Sequence, residues 1–263
     1  MPRCLLALGG NIGDVERVFA SVLRSLSRKR SGVTVGRSSS VYRTTAVGDR
    51  SGGEFRNAVI EIRTDLSPLE LLERLQSLES SHGRTSGVRW GPRLLDLDLI
   101  FYGDEIIDDA TLQVPHPACW YRRFVLDPLA EIAADVIHPQ KSVTVGQLRT
   151  RLLMRPLQIR LAGADETVRI GLMQKLQTQF PEIEFGEWLT TDAIHCAEPA
   201  LIVWFGADNN MSRGLTEWDA LPPIPRLDAS AVDGDREIFL RHVLQAATGS
   251  VEVLGSIRTK PDG

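Results

Sequence analysis

The chain has 263 residues, 43% hydrophobic and 24% charged, with a formal net charge of -4. These proportions exclude collagen-like, disulfide-stapled and wholly disordered chains, and the length allows one large domain or two of ordinary size. The cysteines (Cys4, Cys119 and Cys196) are too few and too scattered for a disulfide framework or a CxxC metal site, so a reducing cytoplasm is expected.

Residues 3–9 read as a buried strand stopped by Gly9-Gly10. The opening apolar run is too short for a secretory signal, and no stretch reaches the ~20 apolar residues of a membrane span. Asp14 can cap a helix to about Leu26, with Val15, Val18, Phe19, Val22, Leu23 and Leu26 on one face. Val33 to Tyr42 reads as one strand. Thr44 to Glu54, with its glycines, reads as a loop, and Phe55 to Arg63 alternates as a third strand. Ser67-Pro68-Leu69-Glu70 carries a helix start: Ser at the N-cap, Pro in the first turn, Glu three residues on. That helix is expected to end near Ser81.

Residues 83–93 read as a Gly- and Arg-rich loop, and Leu94 to Tyr102 as the clearest strand. The order β-α-β-β-α-β predicts an α+β, ferredoxin-like antiparallel sheet with two helices on one face. A short helix at Phe124 to Ala133, then Val136–Pro139 and Val143–Leu153, close this half near Arg155-Pro156. The expected domains are therefore 1–156 and 157–263. The second region, with strands at Leu157–Ala162, Ile183–Trp188, Leu201–Phe205 and Val251–Leu254 and helices at Thr167–Phe180 and Glu237–Ala247, predicts a small α/β domain. No activity is read there: the loop at Gly163 lacks a GxxxxGK[ST] pattern.

Residues 1–158 carry a surplus of three positive charges and the remainder a surplus of seven negative ones. A broad basic face for nucleic acid is not expected. The arginines of the first half suit a small anionic ligand instead. Asp96 and Asp98 lie two apart on a strand, so both project from one face while Leu95, Leu97 and Leu99 project from the other. Adjacent carboxylates repel unless a positive charge separates them. Mg²⁺, which arrives with phosphates, is the economical partner. Arg84, Arg89 and Arg93 just upstream are phosphate-type ligands. Together these groups describe phosphoryl or pyrophosphoryl transfer.

The segments LALGGNIGD (6–14), YRTTAVGD (42–49), EFRNAV (54–59), SPLELL (67–72), LESSHGR (78–84), RWGPRLLDLDLIFYGD (89–104), VPHP (114–117) and RRFVLDPLAEIA (122–133) occur in one order. In these pieces the chain resembles the 6-hydroxymethyl-7,8-dihydropterin pyrophosphokinase family, over a little more than half its length. The resemblance implies transfer of pyrophosphate from ATP to a pterin hydroxymethyl group, releasing AMP, in folate biosynthesis. It implies Asp96 and Asp98 as Mg²⁺ ligands. Glu79, Arg93, His116 and Arg122 are implied as ATP contacts, and Arg84 as a catalytic-loop arginine; Arg89 is read from its place in the arginine cluster as a further ATP-phosphate contact. Thr44, Asn57 and Phe124 are implied at the pterin, with Phe55 and Trp90 as aromatic walls. The chain departs from the family at Ser86, where a second loop arginine is common, at Thr45-Ala46, where prolines are common, and at Gly10, where serine is common. A catalytically weakened regulatory protein that binds pterin and ATP is the second reading. Gly9, Gly10 and Asn11 are read as a strand-to-helix turn. The expected partners are ATP and the pterin, with neither nucleic acid nor membrane.

Overall fold

A computed structural model of the chain describes residues 1–29, 31–48, 52–83, 92–163, 166–188, 199–206, 218, 221, 225–230, 232 and 235–258. They form two compact units, Met1–Arg149 with Gln245–Gly263, and Thr150–Leu244. Residues 245–263, which the sequence assigns to the second domain, group with the first unit. Among the described residues no helix is long and apolar enough to cross a membrane.

The first unit is α+β, built on an antiparallel six-stranded sheet. Its strands are β1 (Arg3–Gly10), β2 (Val33–Ser38), β3 (Ser40–Thr44), β4 (Phe55–Thr64), β5 (Asp96–Tyr102) and, from the end of the chain, β12 (Val251–Ser256). The order is β12-β3-β4-β1-β5, with β2 pairing β4 beside β3. The single strand expected from Val33 to Tyr42 is broken at Ser39. Its N–H donates to the Val59 carbonyl (2.8 Å), and its hydroxyl accepts the Val59 N–H (2.9 Å). β2 and β3 can then pair with successive stretches of β4.

Helices α1 (Val15–Leu26) and α2 (Pro68–Ser81) start where local chemistry dictates. The Asp14 carboxylate accepts the Arg17 N–H (3.1 Å). Ser67 and Glu70 form a reciprocal capping box with Pro68 in the first turn. Both helices bury one stripe in a core with alternate strand residues: Phe19, Val22 and Leu26, and Leu71, Leu75 and Leu78, meet Cys4, Leu6 and Leu8 of β1, Ala58, Ile60 and Ile62 of β4, and Leu97 and Leu99 of β5. Helix α3 (Arg123–Ala133) packs on β3 and β4. Glu131 fastens it there, accepting the Ser40 N–H (3.0 Å) and the Tyr42 hydroxyl (2.7 Å). A two-stranded ribbon, β6 (Ile107–Asp108) with β7 (Gln113–Val114), and α4 (Val145–Leu153) follow in the chain.

The second unit holds a parallel sheet of β8 (Leu157–Ala162), β9 (Ile183–Glu187), β10 (Leu201–Trp204) and β11 (Arg226–Asp228), in the order β11-β10-β8-β9. Helix α5 (Glu166–Gln179) links β8 to β9. Trp188 and Trp204 are core residues. Gly163 has a packing reason: at φ +67° a Cβ there would meet the Gly206 carbonyl oxygen at 2.1 Å. Its own carbonyl accepts from buried Arg169 (2.6 Å), which also pairs with Glu187. Helix α6 (Arg236–Thr248) leads back to β12. The strand expected at Val251–Leu254 exists, but it pairs with β3 of the first sheet rather than with the second unit's strands.

Candidate active site

The alternation that buries Leu6 and Leu8 turns Leu5, Ala7 and Gly9 to the opposite face of the first sheet. Gly9 pairs with Asn57 on β4 and with Asp96 on β5, and Ala7 pairs with Asp98. Three adjacent strands therefore present Asn57, Gly9 and Asp96 in a row. A Cβ on Gly9 would stand 3.3 Å from the Asn57 side-chain oxygen and 3.8 Å from the Asp96 Cβ. The missing side chain keeps the space between amide and carboxylate open.

Above this row lies a cavity of about 240 Å³. Ala7, Gly9, Thr44, Phe55, Asn57, Asp96 and Asp98 line it from the strands, Thr45, Val47, Arg93, His116 and Arg122 from the loops, and Phe124 and Val125 from α3. The Asn57 amide donates to the Thr44 hydroxyl (2.8 Å), and both residues are buried. That bond fixes the amide's orientation and leaves a second N–H and a carbonyl oxygen for a ligand edge.

On the other side of Gly9 the charges gather. Arg93 donates to Asp96 Oδ1 at 2.6 Å, and each side chain is a little over a quarter exposed. Asn11 holds Arg93 at its backbone: the side-chain oxygen accepts the Arg93 N–H (2.8 Å), and the Asn11 N–H donates to the Arg93 carbonyl (2.8 Å). Arg122 lies at the start of α3 with its guanidinium 5.6 Å from the Phe124 ring centre. His116 is pushed down to about 4, first by burial and then by the Arg122 charge, so it is neutral near pH 7. The Ala118 N–H donates to its Nδ1 (3.2 Å), which leaves the imidazole proton on Nε2.

Thus Thr44, Phe55, Asn57, Arg93, Asp96, Asp98, His116, Arg122 and Phe124 all meet around one cavity. Glu79 does not line it. It is 2% exposed at the end of α2, and its carboxylate accepts the Leu97 N–H (2.8 Å), between the two aspartates. Arg84, Arg89 and Trp90, with Ser86, lie outside the described residues. Among the described residues no group of three or more His, Cys, Asp or Glu could hold a metal by itself.

Residues 5–134 match the model of the 7,8-dihydro-6-hydroxymethylpterin-pyrophosphokinase family. The chain is 41% identical over 163 residues to a 2-amino-4-hydroxy-6-hydroxymethyldihydropteridine pyrophosphokinase of Bacillus subtilis (strain 168), covering 62% of this chain and 94% of that protein. The chain belongs to this pyrophosphokinase family. It is also 44% identical over 144 residues to the enzyme of the same name from Synechocystis sp., covering 55% of this chain and 73% of the relative. A crystal structure of a Plasmodium falciparum HPPK-DHPS triple mutant superposes with a TM-score of 0.46 at 11% identity, over 85% of this chain and 58% of that one.

Sequence reasoning missed what two residues do at this cavity. Gly9 and Asn11 are more than a turn: one keeps the floor clear and the other fixes Arg93. The shrinking series Leu5, Ala7, Gly9 on one strand face was a readable signal of space at one end. No local signal marked Asn11, because its partner is 82 residues away.

Proposed function

We propose that the first unit transfers a pyrophosphoryl group from ATP to the hydroxymethyl group of 6-hydroxymethyl-7,8-dihydropterin, giving AMP and the pterin diphosphate, in the cytoplasm. The observation that carries this reading is that one cavity joins two kinds of lining. Asn57, Thr44 and the Phe55 and Phe124 rings suit a flat heterocycle, and Asp96, Asp98, Arg93, Arg122 and His116 suit a triphosphate.

Phe55 and Phe124 offer ring faces to the pterin, and the Asn57 amide offers a donor and an acceptor to its edge. Arg93 and Arg122 bind phosphate oxygens through charge-assisted hydrogen bonds. Neutral His116 donates from Nε2 without adding charge. Asp96 and Asp98 are hard oxygen donors on one strand face and fit Mg²⁺, which typically uses one or two carboxylates together with substrate phosphates. When bound, that ion supplies charge neutralisation to the polyphosphate. Arg84 and Arg89, upstream in the chain, are proposed to complete the neutralisation, and Trp90 the aromatic wall. Glu79 acts as a positioning residue: by holding the Leu97 N–H it fixes the start of β5, and with it the spacing of the two aspartates.

The test is AMP release from ATP with 6-hydroxymethyl-7,8-dihydropterin, with and without Mg²⁺. Metal-dependent release of one AMP per pterin diphosphate is expected. Binding of both substrates with no AMP above background would overturn the proposal in favour of a regulatory binding protein.

A further inference from the structure

The heterocycle side of the cavity is held from a distant part of the sequence. β12 runs antiparallel to β3, with Val251 opposite Thr44, Glu252 opposite Arg43 and Val253 opposite Tyr42. Arg43 and Glu252 form an ion pair. Beyond the ladder the same segment continues along the cavity wall. The Ser250 carbonyl accepts the Thr45 N–H (3.3 Å), and the Gln245 side-chain oxygen accepts the Gly48 N–H (3.0 Å). The Gly249 carbonyl accepts from Arg123 Nη1 (3.3 Å), one residue from Arg122 and Phe124. Residues 245–252 thus touch both the Thr44–Gly48 wall and the base of α3, and Thr44, Thr45 and Val47 are lining residues.

Two details show how tightly this contact is built. A Cβ on Gly249 would sit 2.8 Å from the Thr45 hydroxyl and 2.8 Å from the Gln245 carbonyl oxygen, so glycine is what lets the segment lie so close. Gly48 has φ +84°, a conformation that disfavours a side chain, and it presents its N–H to Gln245. The Bacillus subtilis relative aligns with 62% of this chain and is nearly fully covered by it, so a large part of this chain has no counterpart there.

We infer that residues 245–252 are a strap that sets the position of the Thr44–Gly48 wall, with Gln245 a positioning residue for the pterin. The inference rests on the assignment of that side of the cavity to the heterocycle. The pterin is read by a buried amide and hydroxyl whose geometry depends on that wall, whereas Asp96, Asp98 and Arg93 lie across Gly9. Through Gln245 and Gly48 the strap therefore acts on the pterin-facing wall.

The experiment uses the full chain and the variants Gln245→Ala, Gln245→Glu and Gly249→Ala, with KM for each substrate, kcat, thermal midpoint and amide exchange at Gly48. In Gln245→Ala the pterin KM rises about three- to tenfold, the scale of one lost hydrogen bond, while the ATP KM and the midpoint hold. Gln245→Glu keeps an oxygen acceptor and restores the pterin KM to within about twofold. Gly249→Ala displaces Thr45 and raises the pterin KM at least as much. An unchanged pterin KM in Gln245→Ala overturns the strap, as does an equal rise for both substrates with a lower midpoint. If the wild-type chain releases no AMP, the catalytic assignment fails. Gly48 exchange then still decides on the strap: faster exchange in Gln245→Ala upholds it, and an unchanged rate overturns it.

Discussion

On one face of the six-stranded sheet, Leu6, Leu8, Ile60, Ile62, Leu97 and Leu99 are covered by α1 and α2 into a continuous apolar core. On the other face, one residue along the same strands, Leu5 and Phe101 are buried at one end, while Gly9, Asn57, Asp96 and Asp98 line an open cavity at the other. Both faces come from the same hydrogen-bonded ladder, so the backbone does not distinguish them. Side-chain volume and polarity do, and they do it with period two. A single strand can thus supply core and chemistry together, provided its ends are pinned. Glu79 does this for β5 at the Leu97 N–H, and Asn11 does it for the approach to β5 at Arg93.

The largest effect expected from breaking this division is on the open face. Asp96→Ala and Asp98→Ala should each cost on the order of a thousandfold or more in turnover, the scale of losing a group aimed at developing charge. Both residues are partly exposed and neither belongs to the apolar core, so the unfolding midpoint in denaturant should stay near wild type. A variant with turnover intact would remove the carboxylates from the mechanism. The opposite face should respond the other way. Phe19→Ala removes a ring that is 0% exposed and should cost about 3–5 kcal/mol of stability. At a temperature where it stays folded, its KM values should not move. A KM change there would mean that the two faces are coupled more strongly than their alternation suggests.

A subtler break lies within the open face. Thr44→Val keeps the shape of the side chain but removes the acceptor of the Asn57 amide, leaving a buried N–H unpaired. The loss should be about 1–3 kcal/mol, read as roughly tenfold or more in pterin affinity by equilibrium titration, with ATP affinity unchanged. Equal losses for both ligands would show that Gly9 does not separate two subsites.

The parts of this arrangement legible in the sequence are those whose causes lie within a turn of helix or a few strand residues. Ser67, Pro68 and Glu70 announce α2, Asp14 announces α1, and the two-residue spacing of Asp96 and Asp98 places both carboxylates on one face. The motif resemblance added Thr44, Asn57, His116 and Arg122, which line the same cavity although 78 residues separate Thr44 from Arg122. What stayed hidden depends on partners far apart in the chain. Ser39 breaks a strand through its bonds to Val59, and β12 crosses from an expected second domain to the edge of the first sheet. Glu79, which the resemblance implies at ATP, also places its carboxylate on the Leu97 N–H, a partner that no helix pattern announces. No local pattern encodes any of these, because each is decided by which backbone group happens to need a partner at the far side of the fold.

The smallest effect sharpens the comparison at the filled end of the open face. His138 is 1% exposed, packs edge-on against Phe101 and places Nε2 3.7 Å from the Cys119 sulfur, with Lys141 the nearby charge. Burial, then Lys141, pushes it down to about 4. Between pH 4 and its ordinary value near 6.5 the unfolded chain holds the proton and the folded chain does not, so acidification favours unfolding. His138 should therefore lower stability by up to about 1.4 kcal/mol for each pH unit dropped through that window. His138→Leu should flatten the profile of unfolding free energy between pH 4.5 and 6.5 by that amount while leaving the pterin and ATP KM at pH 7.5 unchanged. An unaltered slope would mean that the folded protein accommodates the proton. The filled end of this face would then be as permeable to water as the cavity end, and side-chain volume would no longer explain why one end is core and the other a site.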